Sequence, residues 1–294
     1  MRSMASSGGR RPSPVGAQVP TARGLVAQAF ARGREIGAET LQVFTGNPRG
    51  WALAQGSHET DEAFRALCEE HGVPVFVHAP YLVNLGAPGE QTYRSSIRSL
   101  SHNLVRASRI GARGVVVHTG SGVTEGGVDA GLKRVREALL PILESLDASS
   151  PAVLLEPTAG QGRSLCAGID DLGLYLAQLE FHPKVGICLD TCHVFAAGAP
   201  LDAPGGTTRT LDRLAGIAGP GRLQLVHAND SKGARGSCLD RHERIGQGRI
   251  GLRCFAELLA HPAVAGVPVV IETPGGVEDD KEAIALLKSL RPAA

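Results

Sequence analysis

Aromatic residues are scarce in this 294-residue chain, at 4%, and the formal net charge is only +1. So neutral a balance excludes a global electrostatic pull on nucleic acid; any such affinity must come from local patches. No apolar run approaches the ~18 residues of a membrane span, so a membrane partner is not expected. The six cysteines (Cys68, Cys166, Cys188, Cys192, Cys238 and Cys254) are dispersed, and only Cys188 and Cys192 lie close together. That spacing argues against a disulfide framework and for reduced thiols in the cytoplasm. No G-x-G-x-x-G follows the first apolar run, so the dinucleotide fingerprint of an open doubly wound sheet is missing.

Glycine (38) and proline (18) are plentiful, and 43% of the residues are hydrophobic. That content supports a large core joined by tight loops. Residues 1–14, MRSMASSGGRRPSP, are basic and rich in Ser, Gly and Pro, and predict a disordered N-terminal extension. The lack of acid before Glu35 leaves a transit peptide as the alternative. Residues 15–294 contain no linker and predict one catalytic domain. Short apolar runs cover Val15–Pro20, Leu41–Phe44, Val75–His78, Gly114–His118, Val153–Glu156, Gly186–Asp190, Leu223–His227 and Val267–Glu272. Helical patterns fall at Asp61–His71, Tyr93–Ile110, Val128–Leu146, Leu211–Ala218, Leu252–Leu259 and Asp279–Leu290. Near-continuous apolar runs suit strands covered on both faces. Eight strand–helix units predict an α/β fold, the (β/α)8 TIM barrel, which typically takes about 250 residues.

Six of the eight runs end on a side chain able to bind metal: His78, His118, Glu156, Asp190, His227 and Glu272. At the C-terminal end of a barrel strand such a residue faces the active-site mouth. One of them alone would be an ordinary hydrogen-bonded residue. Six ionisable groups buried together would be costly without compensation, and metal ions supply it. Asp240 and His242 are two apart, so an extended segment points both the same way. Asp190 and His193 are three apart, and a straight strand would send them to opposite faces and hence to different ions. The inferred grouping puts His193, Asp240 and His242 on one ion and Asp190, His227 and Glu272 on another. His78 and His118 hold a third, with Glu156 bridging two. A nitrogen and oxygen ligand set suits Zn²⁺, with Mn²⁺ or Fe²⁺ as alternatives. Three divalent ions outweigh the four carboxylates by two charges, which favours an anionic substrate such as a phosphodiester. Lys232, Arg235, Arg241, Arg244 and Arg249 surround the Asp240–His242 pair and offer contacts to backbone phosphates. Arg49 and Tyr81 follow the second and third runs, where loops meet a substrate.

The motifs VHAPYLVNLG, VVHTGS, LLEPTAGQG, CLDTCHVFAAG, HANDSKGARGSCLDRHERIGQGRIG and VIETP resemble those of the endonuclease IV family of apurinic/apyrimidinic endonucleases, from about Gly16 to the C-terminus. The resemblance implies a TIM barrel with three metal ions, usually zinc, that incises double-stranded DNA 5′ to abasic sites. It leaves a 3′-hydroxyl and a 5′-deoxyribose phosphate. All nine metal-ligand positions carry the expected residue type. Glu156 and Glu272 are the implied catalytic carboxylates, and Arg49, Tyr81, Lys232 and Arg241 the implied DNA contacts. Two positions depart from the family pattern: Gln18 stands where a histidine is usual, and Pro157 replaces the asparagine that commonly follows the bridging glutamate. A metal-dependent sugar isomerase or epimerase on the same barrel, or a damage-binding barrel without catalysis, remain the competing expectations. A monomer is expected.

Overall fold

The computed structural model describes residues 11–122 and 127–292. Residues 1–10 of the expected extension therefore lie outside the described residues, whereas Ser13 is buried and its hydroxyl donates to the Val264 carbonyl at 2.5 Å.

Eight parallel strands close into a barrel: β1 (Val15–Gln18), β2 (Leu41–Val43), β3 (Val75–His78), β4 (Gly114–His118), β5 (Ala152–Glu156), β6 (Val185–Asp190), β7 (Leu223–His227) and β10 (Val269–Ile271). Two short strands, β8 (Asp230–Ser231) and β9 (His242–Glu243), form an antiparallel ribbon after β7. Helices α1 (Ala31–Glu35), α2 (His58–Glu70), α3 (Glu90–Arg109), α4 (Gly127–Glu144), α5 (Leu172–Gln178), α6 (Thr191–Ala196), α7 (Gly206–Ala218), α8 (Leu252–Ala260) and α9 (Val277–Ser289) fill the connections. A π-helical turn, Leu25–Phe30, leads into α1. Ser57 starts α2 by accepting from the Thr60 amide, and Glu59 and Asp61 favour its positive N-terminal end. Asp61 is buried and pairs with Arg106 of α3 at 2.9 Å, tying the two helices together.

Period-two alternation divides six of the eight barrel strands between two cores. Phe76, Val116, Leu154, Cys188, Leu225 and Val270 form one cluster inside the barrel. Their neighbours, including Val75, Val77, Val115, Val117, Val153 and Leu155, join the separate cluster beneath the helices. Full burial of a large apolar side chain contributes about 1.5–3 kcal/mol, so this double layer is the main source of stability. The barrel closes tightly: at Gly16 a β-carbon would lie 1.7 Å from the Thr40 carbonyl oxygen. The six interior residues also place the site. Two positions further along the same strands, on the same face, come His78, His118, Glu156, Asp190, His227 and Glu272.

Candidate metal centre

The strand-end side chains converge into three overlapping clusters of donor atoms. In the first, His78 Nε2 and His118 Nε2 lie 3.2 and 3.3 Å from Glu156 Oε2. In the second, His227 Nδ1 lies 2.9 Å from Glu156 Oε1, 3.4 Å from Glu272 Oε2 and 3.9 Å from Asp190 Oδ2. In the third, His193 Nε2 is 3.4 Å from Asp240 Oδ2, and His242 Nε2 is 3.2 Å from Asp240 Oδ1 and 3.6 Å from Asp190 Oδ2. A tetrahedral ion with arms of about 2.0–2.2 Å would separate its ligand atoms by about 3.3–3.6 Å. The observed spacings bracket that edge, so the residues present fit divalent ions. His242 Nε2 sharpens the fit, because it is buried and has no hydrogen-bond partner among the described residues. The Sγ atoms of Cys188 and Cys192 also lie within 4.8 Å of donors in the second and third clusters.

Local folding explains how His193 reaches this place. Asp190 ends β6 and caps α6 by accepting from the His193 amide at 3.0 Å. The chain therefore turns into a helix at Thr191, the parity of a straight strand ceases to apply, and both side chains face the mouth. The ribbon does the same for His242, which pairs with Ser231 across β8 and β9. Behind the ribbon, buried Asp230 accepts from the amides of Ser231, Gly246, Gly248, Ile250 and Gly251 at 2.8–3.4 Å. Gly248 must stay bare, since a β-carbon there would sit 2.4 Å from that carboxylate.

Charge is dense enough to move protonation far from ordinary values. Burial alone would lower His193 and His242, but Asp190 and Asp240 outweigh it and push them up to about 10 and about 9. Burial also opposes the charge on His227, yet its anionic surroundings, with Glu272 and Glu156 among them, raise it well above 6.5. Conversely, burial would raise Glu156, while His227 and His118 hold it well below the usual carboxylate range. Asp240 and Glu272 are lowered too, against burial, by their histidine neighbours. Without cations the cage offsets most of its negative charge with imidazolium, which metal must displace.

The residues expected to touch DNA ring this cage. Tyr81 is 49% exposed and packs its ring 5.3 Å from Phe44 and 6.0 Å from His118. Its amide donates to the Pro48 carbonyl, which brings the Arg49 loop beside it. Burial, Glu272 and Glu156 push its hydroxyl up to about 12. Lys232 and Arg241 are exposed on the segment around the ribbon. Lys232 faces Glu243 at 3.8 Å, Arg235 pairs with Asp202 and Arg244 with Asp279. Arg49, Arg241 and Arg249 have no carboxylate partner among the described residues. A cavity of about 200 Å³ opens between Tyr81, His118, His193 and Asp240. A larger one, about 780 Å³, is lined by Gln18, Phe44 and Arg106 and by none of the nine expected ligands.

Pro157 keeps the one atom that matters locally, because its carbonyl lies 3.2 Å from His193 Nδ1. Two residues outside the expected set support the cage. Asn229 donates to Asp190 Oδ2 at 2.7 Å and accepts from the Glu272 amide at 2.8 Å. Gln42 lies between His227 and Glu272. Period-two counting along the second run would have placed Gln42 inward, but an amide carries no metal signal.

Residues 30–292 match the family model described as xylose isomerase-like TIM barrel. The chain is 51% identical to a protein named probable endonuclease 4 from Streptomyces coelicolor, over 98% of this chain and 99% of that one. The crystal structure of endonuclease IV from Thermus thermophilus superposes with a TM-score of 0.83 at 34% identity, covering 94% of this chain and 98% of that one. A D-tagatose 3-epimerase-like protein also superposes, at 0.70 over 94% of this chain and 96% of that one, but at 19% identity this likeness extends to the fold alone.

Proposed function

The chain belongs to the endonuclease IV family, and from that premise we propose that it hydrolyses the phosphodiester 5′ to abasic sites in double-stranded DNA. The nine residues His78, His118, Glu156, Asp190, His193, His227, Asp240, His242 and Glu272 hold three divalent ions, zinc first, with Mn²⁺ or Fe²⁺ able to use the same donors. The products are a 3′-hydroxyl and a 5′-deoxyribose phosphate. The observation that carries this reading is the division of labour within Glu156: one oxygen faces the first cluster and the other faces the second. A single buried carboxylate shared in this way is the arrangement a bridged pair of cations needs.

When bound, the ions supply a water acidic enough to act near neutral pH and positive charge for the attacked and leaving oxygens. The protein's own groups divide the remaining work. Glu156 is buried and holds two clusters at a fixed separation. Glu272 is more open, with 14% of its side chain exposed against 1% for Glu156, so it reaches the mouth and orients the attacking water. Asp240 and His242 face the same opening from the ribbon and lie where the departing 3′ oxygen would emerge. Arg49 and Tyr81 press on the duplex from one side, and Lys232 and Arg241 hold its backbone from the other. The enzyme acts as a monomer in the cytoplasm.

A sugar isomerase or epimerase would use one or two ions and would not need His193, Asp240 and His242 together. The deciding experiment combines metal counting with incision of a synthetic abasic duplex before and after exhaustive chelation. Three ions per chain and cleavage that returns on reloading are expected. One or two ions without cleavage would favour the isomerase, and binding of the abasic duplex without cleavage when fully loaded would leave a damage-binding barrel.

A further inference from the structure

The clustered histidines are not all mounted alike. Nδ1 of His78, His193 and His242 lies 2.6, 3.2 and 3.3 Å from the carbonyls of Ala79, Pro157 and Glu272. A carbonyl only accepts, so each of these rings carries its proton on Nδ1 and turns Nε2 inward. His227 is reversed. Its Nδ1 faces the carboxylates, and its Nε2 lies 2.8 Å from Gln42 Oε1. The other end of the same amide donates to Glu272 Oε1, also at 2.8 Å. Turned over, the amide would set its oxygen against the Glu272 carboxylate, so one orientation alone satisfies both neighbours. Gln42 is fully buried, and it holds His227 with a side chain where the three others are held by backbone.

We propose that Gln42 is the positioning residue of the second cluster. Its oxygen fixes His227 as the Nε2–H tautomer, with the Nδ1 lone pair turned toward Glu156, Asp190 and Glu272. Its N–H holds one Glu272 oxygen back, so that the other faces His227. A neutral amide does this without adding charge to a centre that must stay net positive for a phosphodiester. The inference rests on the three-ion reading above. It assigns one outer residue to one ion only, which gives it a signature of its own.

The test compares the full-length protein with Gln42→Leu, which keeps the bulk and removes both hydrogen bonds. Zn²⁺ and Co²⁺ affinities are read by competition with a chromophoric chelator, and coordination by the absorption of the Co²⁺-loaded protein. One of three ions should weaken by about 10–100-fold, the scale of lost outer-sphere support, while two keep their affinity. The Co²⁺ bands of that one equivalent should change, and kcat should fall with KM for the duplex unaltered. Three ions held at wild-type affinity would overturn the proposal, as would equal weakening of all three, which would mark a general packing defect. Should the leucine variant not fold, Gln42→Asn, one methylene too short to span both contacts, decides by the same readouts. A wild-type protein that cannot hold three ions would remove the three-ion reading itself. A variant matching a three-ion wild type would remove only Gln42.

Discussion

Leu154 and Glu156 share one face of one strand, a single pleat apart, yet they belong to opposite chemical worlds. The first closes a dry plug with Phe76, Val116, Cys188, Leu225 and Val270. The second lies buried among imidazoles at 2.9–3.4 Å. Both are inaccessible to water, so burial does not separate them. What separates them is whether every polar atom finds a partner. The plug has no polar atoms to satisfy beyond one thiol, whereas the mouth holds charges that only other charges can compensate. Stability and chemistry are therefore stacked along one axis, the plug setting the former and the mouth the latter.

The largest effect should come from breaking the mouth alone. Glu156→Ala removes the carboxylate common to two clusters, and incision should fall by about 10³-fold or more, the loss of several kcal/mol of charge stabilisation. Metal analysis should find fewer than three ions, and full occupancy with near-normal cleavage would sink the assignment. Breaking the plug should do the reverse. Leu154→Ala should cost about 2–5 kcal/mol in denaturant unfolding while metal content stays unchanged. A coupled loss of ions would show that the two layers are not separable.

Protonation sharpens the same contrast, since only the mouth titrates. In the metal-free protein His193 and His242 lie near 10 and 9, and His227 well above 6.5. Imidazolium cannot bind a cation, so metal affinity should fall steadily as pH drops below about 10, where His193 protonates first. Loading near neutral pH should release about three protons per chain, one from each of these rings. Calorimetry in buffers of different ionisation enthalpy measures that number, and a value near zero would contradict the raised imidazoles. The smallest effect belongs to the rim. Arg241→Ala should raise KM for duplex several-fold, leave kcat intact and lower the salt dependence of binding by about one phosphate contact.

Much of this layout was legible in the residues. The runs at Val75–His78, Gly114–His118 and Leu223–His227 coincide with β3, β4 and β7 to the residue. Each is an apolar stretch, broken only by Gln224 in the third, that stops at a histidine. The terminal runs overshoot: β1 stops at Gln18 rather than Pro20, and β10 covers only Val269–Ile271. Proline cannot continue the ladder in the first case, and in the second Val267 sits in the turn before the strand. Helix α6 left no periodic signal because all six of its residues are buried. Strands β8 and β9 have two residues each, too few for any pattern. The donor atoms could be listed from strand ends, but their outer supports could not. Gln42 and Asn229 are neutral amides, and only the folded arrangement shows which donors and acceptors each one joins.

The Asp230 carboxylate has a consequence for the emptied protein. The segment carrying Arg249 is knotted around an internal acid and five amides, not around any ion. Stripping every cation would therefore leave this loop folded, because its internal anchor borrows nothing from them.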